Sequence, residues 1–228
     1  MKTADQVDQM KKATELNWRP FLDINPRNEA IAVGALCGES DTSALQPLDI
    51  QTVGLNTVEY MALRYIGFVA KTDFTFRNTG KTPLRFLRNK FYTLSLVDWE
   101  NEFHKSPDSL AAYLRDGCGV YETDVVILPE STFASNGGFL SKAKLGKAAF
   151  EKERAKKEKE RRLVFYYAYY LEYEDFFDHT YNLLFMRFFP FRFDIRNDSI
   201  FFDEDIQGGI ERYRWDIWPA SMAGGLRP

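Results

Sequence analysis

The chain has 228 residues, 45% of them hydrophobic and 28% charged, with a net charge of −3. This is the composition of one globular unit, and the mild net acidity gives no global attraction to nucleic acid. No run of 18 apolar residues occurs, so nothing in the sequence spans a membrane as a helix.

Aromatic residues make up 16% of the chain, 20 of them Phe and 12 Tyr, and this load predicts a β-rich core. The two cysteines, Cys37 and Cys118, have neither CxxC nor zinc spacing and are expected to be unpaired thiols. Charge is unevenly spread: residues 141–162 hold ten Lys or Arg against four Glu.

In chain order, "TADQVDQMKKATEL" predicts a helix whose narrow face (Val7, Met10, Thr14) suits a stalk over residues 1–18 better than a core helix. Pro20 ends it. "RPFLDI" and "NEAIAVGAL" predict two short strands, and residues 38–58 a long loop. In "GFVAKTDFTFRN" Phe68, Ala70, Phe74 and Phe76 alternate with polar residues, which predicts a half-buried antiparallel strand.

"KFYTLSLVDW" predicts a second strand of the same kind, and "SPDSLAAYLRDG" a helix near 107–116, capped by Ser106 or Asp108 and stopped by Gly117. "ETDVVILP" reads as another strand. Residues 139–162 predict one inserted, solvated helix starting at Ser141 and supported by pairs such as Glu153–Lys157 and Glu158–Arg162. "LVFYYAYYLEYEDFF" places Leu163, Phe165, Tyr167, Tyr169, Leu171 and Tyr173 on one strand face, and "HTYNLLFMRFFPFRF" answers it across an acidic turn. "DSIFFDE" makes a last strand, and residues 216–228 read as a tail. The pattern predicts a mainly all-β fold: an antiparallel β-sandwich over residues 19–215, with helices inserted in its connections.

Three segments could carry chemistry. "GKT" at Gly80–Thr82 matches the end of a phosphate-binding loop, but the glycine required five residues earlier is Thr75, and Pro83 with "LRFL" does not open a helix. The segment is therefore predicted to be a turn, bent by the Asn78 side chain, with Gly80 at positive φ. The acidic hairpin offers Glu172, Glu174, Asp175, Asp178 and His179; a metal-binding or metal-dependent hydrolytic site around Asp175–His179 is the alternative functional reading. His104 is the only other histidine, and no GxSxG elbow occurs. The third segment is the basic one, where Lys152, Arg154, Lys156 and Lys157 would bind a protein partner with an acidic face. It lacks the aromatic interleaving of a nucleic-acid platform and an apolar face for membrane insertion. The aromatics of "FFPFRF" are assigned to core rather than to a ligand platform. No cofactor signature is present.

"ATELNWRPFLDI", "FRNTGKTPLRF" and "YLEYEDFFDHTYNLLFMRF", in that order, resemble a group of uncharacterised bacterial proteins in which a membrane helix leads through a stalk to an RPY/F strand. The group then has a β-sandwich with an N-x-G-x-TP turn, and a hairpin of the form Y-x-D-x-F. Arg19, Pro20 and Phe21 match the first element, Asn78, Gly80, Thr82 and Pro83 the second, and Tyr173, Asp175 and Phe177 the third. His179 stands near the group's histidine. The sequence departs from the group in lacking the membrane helix, in Leu84 where a small residue is usual, and in the basic insertion. The resemblance implies an immunoglobulin-like sandwich tethered near a membrane, in the cytoplasm or at the inner membrane of a bacterium. It implies no activity, and non-enzymatic protein binding is the expected function.

Overall fold

The computed structural model describes residues 20–37, 63–117, 119–120, 125–135, 138–196, 199–204 and 209–215, together with the helical positions Gln6 and Gln9. The stalk as a whole, the 38–58 loop, the tail, and the Cys37 and Cys118 side chains lie outside what is described.

Two antiparallel sheets pack face to face. In the first, β1 (Leu22–Cys37) pairs with β2 (Leu63–Asn78). The other edge of β2 is shared end to end by β6 (Thr132–Ala134) and β7 (Phe139–Gly146). The second sheet centres on β3 (Leu84–Ser95), β8 (Arg162–Asp175) and β9 (Thr180–Arg196). Its margins are the short β4 (Gly119–Val120) and β5 (Val126–Ile127) beside β3, and β10 (Ser199–Glu204) and β11 (Ile210–Trp215) beside β9.

The period-two pattern dictates the core. Phe68, Phe74 and Phe76 of β2 meet Phe165, Tyr167 and Tyr169 of β8, all fully buried. Their rings interlock, with Phe68 stacked on Phe165 at 4.9 Å and Phe74 against Tyr169 at 4.5 Å. β8 is buried on both faces, because its outward residues Ala168 and Tyr170 lie under a second cluster. That cluster is roofed by α1 (Leu96–Asn101) and α2 (Pro107–Asp116) through Trp99, Leu110, Ala111 and Leu114. The helices therefore form a third layer.

Several local outcomes differ from the sequence-based expectation. The two short first strands are one strand, β1, broken by a bulge between Arg27 and Ala30. The β3 strand stops at Ser95, where Ser95 and Asp98 form a capping box that starts α1: Ser95 Oγ accepts from Asp98 N–H at 3.2 Å, and Asp98 Oδ2 accepts from Ser95 N–H at 2.9 Å. The Ser106 cap of α2 is observed, with Pro107 at its first position.

The predicted helix over 139–162 is corrected. Residues 139–146 form β7, because Ala143 and Leu145 alternate into the core, and the helix, α3, spans only Lys147–Arg154. A single 3₁₀ turn follows at Glu158–Glu160. Ser141 does not cap a helix: its Oγ accepts the Thr93 N–H at 3.1 Å and ties β7 to β3 across the sandwich edge.

The opposite edge is closed by arginines. Arg212 of β11 donates to the Ile24 carbonyl at 3.2 Å and Arg214 to the Leu22 carbonyl, so the outer edge of β1 is occupied by side chains. Pro190 of β9 lacks an N–H where none is needed, in the gap between the β11 and β10 pairings. There Phe188 N–H bonds the Gly209 carbonyl at 3.1 Å, and a Cβ on Gly209 would stand 2.4 Å from the Phe188 ring.

Candidate functional site

The "NTGKTP" segment is a turn between β2 and β3, as its residue pattern predicts, and no helix follows Thr82. Its organiser is the buried Asn78. Asn78 Nδ2 donates to the Thr82 carbonyl (2.7 Å) and the Ile127 carbonyl (3.1 Å), and Oδ1 accepts from Gly80 N–H (3.0 Å). Among the described glycines only Gly138 has left-handed φ, at +59°, so the bend comes from the Asn78 side chain and not from positive φ at Gly80. Lys81 is exposed.

The acidic hairpin is organised by Asp175, whose side chain is 3% exposed. Its Oδ1 accepts from Phe177 N–H (2.7 Å) and His179 N–H (3.0 Å). Its Oδ2 lies 2.9 Å from the Tyr181 hydroxyl and 3.1 Å from His179 Nδ1. Burial alone would push the carboxyl pKa up, but the hydrogen bonds from His179, Tyr181 and Phe177 outweigh it and hold the pKa below the usual carboxylate value. Asp178 takes left-handed φ, +61°, in the turn.

Glu174 is ion-paired with Arg85, and Glu172 lies 4.0 Å from Arg88. Glu172, Glu174 and Asp175 thus face protein donors, Asp178 is exposed, and among the described residues no three His, Cys, Asp or Glu side chains are grouped to hold a metal ion. His104 is exposed, with φ +52°, in the turn between α1 and α2. Of the "FFPFRF" aromatics, Phe189, Phe191 and Phe193 are core, at 3% exposure or less.

The basic segment is anchored on the core through α3, where Ala149 packs beside the buried Phe150. Phe150 of α3 is fully buried and packs on Phe193 at 4.9 Å. Beyond it residues 155–160 are all exposed, as is Lys152. Arg154 pairs with Glu151 (3.3 Å) and Lys156 with Glu153 (2.7 Å), at i,i+3 rather than the expected i,i+4 spacing. Lys157 lies past the helix end, where Arg161 Nε donates to the Lys156 carbonyl at 3.1 Å and folds the chain into β8. Lys152 and Arg154 thus stand on α3, and Lys156 and Lys157 in the exposed stretch that follows it.

Two features were not singled out by the sequence. The β1 bulge sets Asn28 and Glu29 against Thr72; Asn28 takes left-handed φ, +48°, held by its Nδ2 on Asp73 Oδ2 at 2.9 Å. This turns Glu29 into the space between the sheets. There it accepts the Tyr167 hydroxyl and forms an ion pair with Arg187 of β9. Burial first, and the Glu29 charge second, push the Tyr167 pKa up. A lone Arg187 within "LLFMRFF" was the available signal.

The second feature is the hairpin tip, where Phe176 (78% exposed) and Phe177 (56% exposed) stand in solvent. No protein-family model and no curated protein matches this chain.

Proposed function

We propose that this protein is a non-enzymatic β-sandwich binding module that docks an acidic protein partner through the 147–162 segment and neighbouring loops. The observation that carries this reading is Phe150: a fully buried ring, with Ala149 packed beside it, anchors a segment whose Lys152, Lys156, Lys157 and Lys159 are exposed. Pre-ordering such a charged surface lowers the entropy lost on binding. Polar features that resemble chemistry, at Asn78 and Asp175, serve turns instead. Among the described residues no helix is long and apolar enough to cross a membrane. A membrane tether and an immunoglobulin-like topology belong to this reading through the resemblance of the turn motifs alone.

The test is affinity capture with the full chain across a salt series, alongside a variant carrying Lys152→Glu, Arg154→Glu, Lys156→Glu and Lys157→Glu. The reading expects a partner whose capture weakens with salt and is lost in the variant. Capture indifferent to both changes would remove the basic segment from the interface.

A further inference from the structure

A cleft of about 500 Å³ opens where α2, β3 and β7 meet, lined by Lys90, Tyr92, Tyr113, Leu114, Leu140 and Ser141 among others. Its volume lies in the range of small-molecule sites. The walls are apolar and aromatic: Leu114 is core, and the Tyr92 and Tyr113 rings meet at 5.5 Å. Tyr113 and Leu140 are 54% and 53% exposed at the mouth.

The one cation in this lining is Lys90, which is partly buried and makes no hydrogen bond or ion pair among the described residues. Its stem runs along the C-terminal end of α2, with Nζ 3.8 Å from where a Gly117 Cβ would stand. The helix end favours a cation there and holds it in position. The acid in the lining, Asp116, is paired with Arg115 at 3.3 Å.

We infer that this cleft is a binding site for a small aromatic carboxylate. The ring would lie against Tyr92, Tyr113 and Leu140, and the carboxylate would take the Lys90 ammonium. A partly desolvated ammonium with no ion pair among the described residues favours an anion. A single lysine suits a monoanion, whereas a phosphate ester would call for more donors. The site shares no residue with the 147–162 docking segment, so it stands or falls separately from the docking reading.

The test titrates indole-3-carboxylate into the full chain by calorimetry, with indole-3-carboxamide as the uncharged isostere. Saturable binding of the carboxylate is expected, weaker by about tenfold or more for the carboxamide and for Lys90→Met. Leu140→Trp, which fills the cleft from its exposed rim, is expected to abolish binding without loss of fold, and it decides the matter if Lys90→Met does not fold. Absence of saturation up to the solubility limit, equal affinity for the carboxamide, or unchanged binding in both variants would each overturn the assignment.

Discussion

Glu29 of β1 and Arg187 of β9 form an ion pair across the two sheets, with side chains only 18% and 28% exposed. Arg187 also stacks on Phe189, 5.1 Å from its ring centre, and its Nε is buried without a partner among the described residues. The pair is polar cement in an aromatic core, and it depends on the bulge at Asn28. Removing one partner strands the other. Glu29→Ala is expected to cost about 2 kcal/mol, below the range for fully buried pairs because water reaches both groups. The double variant Glu29→Ala with Arg187→Met should recover part of that loss. Urea unfolding of the two single variants and the double variant checks this; strictly additive losses would show that the pair is not coupled.

Asp175 predicts an acid limb in stability. Its folded pKa lies below the unfolded value, so its contribution is fully present above the unfolded carboxylate pKa and is lost as pH falls through the folded one. Asp175→Asn keeps the shape but weakens four hydrogen bonds, at a cost of about 1–3 kcal/mol at neutral pH. Denaturant midpoints measured from neutral to acid pH should converge for wild type and variant at the acid end.

Asn78 is the polar centre of the β2–β3 turn. Asn78→Ala leaves two buried carbonyls and the Gly80 N–H without its side chain, and should cost about 2–3 kcal/mol. Lys81→Ala, three residues on in the same turn and exposed, should leave stability within about 0.5 kcal/mol. Thermal denaturation of both variants separates a structural turn from a ligand loop.

Phe150→Ala should detach α3 from the core, costing about 3 kcal/mol for a fully buried ring. Limited proteolysis should then cut faster between 147 and 160 than in wild type. Unchanged cleavage would mean that Phe150 is not what holds the segment.

Much of this architecture is legible in the sequence where one face is wet. Phe68, Phe74 and Phe76 alternate with polar neighbours, and the inward face of β8 is readable for the same reason. β11 is not legible as a strand because the side chains it turns toward β1 are the exposed Arg212 and Arg214, which break the apolar alternation while closing the sandwich onto β1. The basic segment misled because its lysines mask a period-two face of Phe139, Ser141, Ala143 and Leu145. Charge density there resembled a long solvated helix, although sheet pairing with β2 decides the first half. Lys90 was invisible as a site residue: in "KFYTLSL" it is an ordinary strand lysine, and only the packing of α2 makes it part of a cleft. Asp175 shows the reverse case, a carboxylate whose neighbours suggested ligands but whose backbone partners cannot be read from residue types.

The most direct test of the docking reading places a photo-crosslinking amino acid at Lys157 of the full chain in its native host, with an equivalent label at Val97, exposed on α1, as control. The account predicts a protein adduct at position 157 that is absent at 97 and disappears when Arg154 and Lys156 are reversed to Glu. Equal adducts at both positions, or an adduct at 157 that survives the reversal, would contradict it.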